Sequence, residues 1–238
     1  MCNNEGILAK MNVVAFYSNT GQSKAVAEYV AKELNFPVVD IESVKDKRYE
    51  NLVLVFPVHC QNIPNKVKDF LNGVSAEYLT LIATYGKICH GNVLYEIQKR
   101  YKHTIVGGAY IPTKHAYIHG DNEFVQYEDL SPLIEKIKNP SEVIFPKEYK
   151  NPLANMLPKL RSKIGVKITK NDQCTDCNVC AEICGVGGIK NGKTNSKCIR
   201  CLRCVDACPQ GALTAKFNGP MKAYLVKSKR QKDIVMYL

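Results

Sequence analysis

Val13-Val14-Ala15-Phe16-Tyr17-Ser18-Asn19-Thr20-Gly21-Gln22-Ser23 is the stretch that decides the fold. Residues 13–16 are apolar without interruption, which reads as a strand buried on both faces. A polar turn follows, and apolar residues then recur with a helical period from 23 to 34. The same strand–loop–helix rhythm continues outward to residue 110. Strands are expected at 37–41, 52–58, 79–84 and 104–110, and helices at 64–71 and 92–101, with Pro64 as a first helical residue. This alternation predicts an α/β domain on a parallel sheet. Such sheets take their ligand outside the carboxyl ends of the strands. The loops after the first, third and fourth strands therefore carry the functional information.

The first of these loops, residues 18–23, holds three hydroxyls, two amides and a glycine at the start of a helix. Backbone N–H groups and the helix dipole there suit a phosphate. Ser23 also stands where it could cap the helix. The loop has neither Lys nor Arg, and neither G-x-x-x-x-G-K-[ST] nor G-x-G-x-x-G occurs, so a nucleoside triphosphate or dinucleotide site is not expected. The second loop reads Pro57-Val58-His59-Cys60-Gln61-Asn62-Ile63-Pro64. The third reads Thr84-Tyr85-Gly86-Lys87-Ile88-Cys89-His90-Gly91.

The spacing of Ser18, Thr20, Gly21 and Ser23 resembles the FMN-phosphate loop of flavodoxins, S/T-x-T-G-x-T/S, and Thr84-Tyr85-Gly86 is similar to their second flavin-flanking loop. The resemblance covers roughly residues 12–145. It implies a doubly wound, five-stranded parallel sheet of order 2-1-3-4-5 with FMN at its edge. It also implies that Ser18, Asn19, Thr20, Gly21, Gln22 and Ser23 hold the phosphate, while Pro57, Val58, His59, Thr84, Tyr85, Gly86 and His90 flank the isoalloxazine. Many flavodoxins place a Trp against the flavin, and this chain has none. Tyr85 could stack there, with His59 or His90 at the ring edge. Cys60 and Cys89 read as small loop residues.

Charge and cysteine divide the chain in two. The formal charge is +11. Residues 1–145 hold 15 Lys and Arg against 16 Asp and Glu, whereas residues 146–238 hold 18 against 6. Of 11 cysteines, eight lie between Cys174 and Cys208, and only Cys2, Cys60 and Cys89 lie elsewhere. Prolines 140, 146, 152 and 158 and a run of basic residues separate the halves. Leu153, Met156, Leu157, Leu160 and Ile164 keep a helical period there, which predicts a short amphipathic helix near 153–164. A strand is expected at 166–169.

In the basic half, Cys174-x2-Cys177-x2-Cys180-x3-Cys184 recurs 24 residues later as Cys198-x2-Cys201-x2-Cys204-x3-Cys208-Pro209. Gly187 and Ile189 correspond in the same way to Gly211 and Leu213. Three thiolates at such a step reach three irons of one cubane, so the fourth iron must be bound from farther away. Zinc sites are built instead from two C-x2-C pairs around one ion, which fits the runs poorly. The segment resembles bacterial two-cluster ferredoxins over about residues 166–217. In that family the remote cysteine of each run serves the other cluster. The resemblance implies that Cys174, Cys177, Cys180 and Cys208 hold one [4Fe–4S] cluster, and Cys198, Cys201, Cys204 and Cys184 the second. Gly185 stands where the family's proline would follow Cys184.

The division expected is a flavodoxin-like FMN domain over 1–145, a basic linker over 146–165, and a small α+β ferredoxin-like domain over 166–238. The last ends in a basic tail in which 224–226 and 234–235 look strand-like. The whole looks like a flavodoxin–ferredoxin fusion of the kind met in anaerobic bacteria and archaea. It implies a cytoplasmic electron carrier joining two-electron and one-electron partners. An FMN-dependent reductase of a small molecule or quinone, fed by the clusters, is the alternative, and a redox-sensing module is a third reading. The positive half suits redox partners with an acidic face. No recognition helix or aromatic platform points to nucleic acid. The longest apolar run has seven residues, far short of a membrane span, and the first residues lack a secretory pattern. Self-association is left open.

Overall fold

The computed structural model describes residues 11–44, 48–118, 127–155 and 158–238. Cys2, Met156 and Leu157 lie outside them. The first half runs β1 (Val13–Phe16), α1 (Gln22–Leu34), β2 (Val38–Asp40), β3 (Arg48–Pro57), α2 (Asn65–Gly73), β4 (Ser75–Tyr85), α3 (Val93–Arg100), β5 (Ile105–Pro112) and α4 (Ser131–Lys138). The five strands are parallel in the order 2-1-3-4-5, as expected. Their apolar runs are continuous because helices cover both faces. Side chains alternate between two cores. Val13, Ala15, Leu52, Leu54 and Phe56 enter one, and Val14, Phe16, Val53 and Val55 enter the other. Helix α4, which the sequence reading lacked, adds Leu133, Ile134 and Ile137 to the second core.

The second half holds α5 (Pro158–Gly165), β6 (Val166–Lys170), α6 (Val179–Glu182), β7 (Ile189–Lys190), β8 (Lys193–Thr194), α7 (Arg203–Asp206), β9 (Leu213–Phe217), α8 (Gly219–Lys227) and β10 (Val235–Tyr237). The single helix expected near 153–164 is instead a 3-10 turn, Pro152–Asn155, followed by α5. The 24-residue repeat survives in three dimensions. Left-handed backbone recurs at Asp176 and Arg200, at Asn178 and Leu202, and at Gly187 and Gly211. The hydrogen bonds of α6 recur in α7: Ala181 N–H to the Asn178 carbonyl (2.8 Å) matches Val205 N–H to the Leu202 carbonyl (2.8 Å). Lys170 opposite Leu213 in the β6–β9 pair corresponds to Thr194 opposite Ile189 in the β8–β7 pair.

Two expectations for the tail need correction. Tyr224, Leu225 and Val226 lie in a helix, α8, not a strand. The Asn218 side chain accepts the Met221 N–H and so caps the first turn, and Pro220 suits its start. Strand β10 does form, but not within the cysteine half. It pairs antiparallel with β5 and gives the first sheet a sixth strand. The cysteine half is thus enclosed between two parts of the chain that share one sheet.

Candidate functional site

The turn after β1 is organised from within. Ser18 Oγ accepts the Gly21 N–H (3.1 Å). Gly21 then takes φ 89° to enter α1, a left-handed value suited to glycine. Gly21, not Ser23, occupies the cap position, and no side chain caps the helix. The first-turn N–H groups are therefore left for an anion or water. Ser23 is turned inward: it is buried, and its hydroxyl lies 2.8 Å from Thr84 Oγ1. Two expected site residues from different loops thus meet. Thr20 is exposed, and Ser18, Asn19 and Gln22 are partly buried.

The other two loops are packed together. His59 and Asn62 exchange backbone hydrogen bonds (3.0 and 2.9 Å), with Cys60 and Gln61 at φ 50° and 64° between them. Positive φ at both central residues matches a type I′ hairpin turn. The Val58 N–H reaches the Thr84 carbonyl at 2.8 Å. Gly91 lies against this turn at φ +69°, and a Cβ there would fall 2.7 Å from Gln61 Cβ and 2.8 Å from its carbonyl oxygen. Gly91→Ala is therefore expected to cost about 2 kcal/mol of stability through overpacking and backbone strain. Urea denaturation read by circular dichroism checks it.

The aromatic residues of the third loop face the core. Tyr85 is 3% exposed, and its ring stands edge-on to His90 (5.1 Å) and Tyr110 (6.4 Å). His90 is also buried and stacks on Tyr110 at 3.7 Å. Burial pushes the Tyr85 phenol up and the His90 imidazole down. The Tyr85 hydroxyl finds no hydrogen-bond partner among the described residues. His59 is partly exposed and 6.3 Å from the Tyr17 ring, and its surroundings push it down to about 4 by desolvation, so it is neutral at pH 7. Pro57, Val58 and Gly86 are partly buried. Cys60 is exposed and Cys89 partly buried.

In the second half, a small pocket is lined by Cys184, Cys198, Cys201 and Cys204, with Ile168, Ile189 and Leu202 among its apolar walls. Cys198 and Cys204 are buried. Burial, then the neighbouring thiols Cys201, Cys198 and Cys184, push the Cys204 thiol up to about 12. Thiols held protonated by low dielectric and mutual repulsion are those that a cationic centre would deprotonate and bind. The Gly188 N–H already donates to Cys184 Sγ at 3.1 Å. The donor set, enclosure and N–H···S contact fit an iron–sulfur centre. Of the other four, Cys177 is exposed, and Cys174, Cys180 and Cys208 are partly buried. Burial works to raise the Cys208 thiol, but N–H groups of Ala212, Gln210, Leu213 and Gly211 outweigh it and hold the thiol low.

The two regions touch at points that sequence reading did not reveal. Asn19 borders the cysteine-lined pocket, and the Arg203 guanidinium donates to the Asn19 carbonyl at 3.2 Å. Tyr117 packs on Phe217 (5.4 Å) within the core of the cysteine half.

An open parallel sheet beside a thiol-lined pocket suits electron transport, and two family matches support that role. The flavodoxin domain family matches residues 13–83, and the 4Fe–4S binding domain family matches residues 193–214. The chain joins a flavodoxin domain to a 4Fe–4S binding domain. Similar solved structures include a flavodoxin from the domain Archaea, with 16% identity over 54% of this chain and 99% of that one and a TM-score of 0.40. Another is a short-chain flavodoxin associated with a non-canonical PDU bacterial microcompartment, with 15% identity over 55% of this chain and 97% of that one and a TM-score of 0.41. No curated protein matched. Among the described residues no helix is long and apolar enough to cross a membrane.

Proposed function

We propose that the chain is an intracellular electron carrier that passes electrons between FMN and two [4Fe–4S] clusters and so links two-electron to one-electron partners. The observation that carries this reading is the pocket formed by Cys184, Cys198, Cys201 and Cys204, bordered by Asn19 of the loop at the start of α1. FMN when bound supplies paired or single electron exchange, and each cluster supplies single electrons. Residues 18–23 would hold the phosphate through backbone N–H groups, with Thr20 as the exposed hydroxyl. His59, Pro57 and Val58 on one side and Thr84, Tyr85 and Gly86 on the other would flank the ring. The burial of Tyr85 and His90 supports contact through the backbone of their loop rather than through a stacked ring. Cys174, Cys177, Cys180 and Cys208 would hold the second centre.

The division at about 145 and 166 separates a near-neutral flavin half from a basic cluster half. Lys222, Lys227, Lys229, Arg230 and Lys232 are exposed, a face suited to acidic redox partners. Iron, sulfide and flavin content after anaerobic purification tests the reading. About eight irons and about one FMN per chain are expected from two cubanes and one flavin site. Zinc in place of iron overturns it. Iron without flavin reduces it to a ferredoxin carried on a flavodoxin-shaped docking domain.

A further inference from the structure

We propose that Asn19 donates a hydrogen bond from its carboxamide to the iron–sulfur centre held by Cys184, Cys198, Cys201 and Cys204, and thereby raises that centre's reduction potential. The inference rests on the cofactor reading above and adds a tuning residue supplied by the flavodoxin half. Asn19 borders the pocket those cysteines line. Its backbone is held there, because Arg203, which also lines the pocket, donates to the Asn19 carbonyl at 3.2 Å.

Its side chain is only half satisfied. Nδ2 lies 3.1 Å from the Tyr17 hydroxyl, while Oδ1 is buried with no partner. A buried unpartnered carbonyl costs about 1–3 kcal/mol, and cysteines that bind metal in the bordering pocket would carry no hydrogen to offer it. The opposite carboxamide orientation removes the conflict. A tyrosine hydroxyl donates as readily as it accepts, so Tyr17 O–H can serve Oδ1 once the amide is turned. Both Nδ2 hydrogens are then free for sulfur, and amide orientation is set by such networks.

The consequence is electrostatic. Reduction adds one electron and no proton to the centre, making it more negative. A donor aimed at its sulfurs stabilises the reduced form more than the oxidised form. The loop proposed to hold the flavin phosphate would thus also touch the centre, so that occupancy of one site is felt at the other.

The test is a redox titration of the full, iron-loaded chain followed by EPR. Asn19→Leu keeps the size and removes the donor. It is expected to leave iron content intact and make one of the two centres about tenfold harder to reduce at a fixed potential, equivalent to about 59 mV for a one-electron couple. The other centre should move by less than about twofold, and Asn19→Gln, which keeps the amide, should recover part of the shift. Unchanged potentials with iron intact overturn the inference and leave the electron-carrier reading standing, as does an equal shift of both centres. Absence of iron from the parent chain overturns the reading beneath it. Where the leucine variant fails to load iron, Asn19→Ala, smaller, uncharged and unable to donate, decides by the same titration.

Discussion

Cys184→Ala is expected to empty the centre built mostly from the second cysteine run, although Cys184 belongs to the first. Iron should fall by about half, from about eight to about four per chain. Cys198→Ala should give the same loss. The double variant Cys184→Ala/Cys198→Ala should lose no more than either alone, since both residues would serve one centre. Pairing Cys184→Ala with Cys177→Ala should instead remove nearly all the iron. This pattern follows from the pocket, which gathers Cys184 with Cys198, Cys201 and Cys204, and from the mutual repulsion that raises Cys204 through the same three thiols. Residues that act as one unit give strongly non-additive losses. Iron analysis and EPR spin quantitation on anaerobically purified chains check it. Additive loss in Cys184→Ala/Cys198→Ala, with no further loss in the other pair, would mean uncrossed ligation. The effect should extend to folding. The core of the cysteine half is small, and Cys198 and Cys204 sit in it with Cys180, Cys184 and Cys208 packed alongside. Without the metal's binding energy little apolar area remains to hold it.

The parts of this chain legible in sequence are those whose causes are local. Strands β3 and β4 announce themselves because burial on both faces demands unbroken apolar runs. The cysteine runs do so because ligand geometry sets a fixed step along the chain. Leu133, Ile134 and Ile137 of α4 also carried a helical signal, which could have been read. Helix α8 was hidden behind Tyr224-Leu225-Val226, residues at home in strands. Only Leu225 of α8 is buried, and the Asn218 cap decides the local structure. Strand β10 has three residues, and its partners Tyr110, Ala109 and Gly108 lie more than a hundred positions earlier. No local pattern encodes such a pairing. The same distance hid the site's second border, since Asn19 and Arg203 are 184 positions apart. Residue type does not show which way a side chain points, and the Tyr85 and His90 rings both stand against Tyr110.

Deleting residues 229–238 is expected to destabilise the flavodoxin half by about 3–5 kcal/mol, although every residue removed lies beyond the cysteine runs. The backbone of β10 pairs with β5 at Tyr110, Ala109 and Gly108. The Tyr237 ring packs at 5.3 Å from Phe145 and 6.3 Å from Tyr110, and its hydroxyl donates to Glu148 Oε1 at 2.8 Å. Ile234 and Met236 pack against the opposite core. Three partly buried apolar side chains at about 1 kcal/mol or more each, with one charge-assisted hydrogen bond, give that magnitude. The tail also ties down the loop after β4, proposed to flank the flavin, since the Gln231 N–H donates to the Lys87 carbonyl at 2.6 Å. Flavin should therefore bind more weakly in the truncated chain, by about tenfold if roughly 1.4 kcal/mol of loop ordering is lost. Urea denaturation read by circular dichroism measures the first effect, and flavin fluorescence on titration measures the second. An unchanged denaturation midpoint would show that β10 adds nothing to the sheet. A tail that stabilises the sheet while holding the flavin-side loop anchors the cysteine half at both its ends. A single flexible tether would raise only the effective concentration of donor and acceptor, whereas two anchors also restrict their orientation. That restriction is what direct transfer between the two proposed cofactor sites would use.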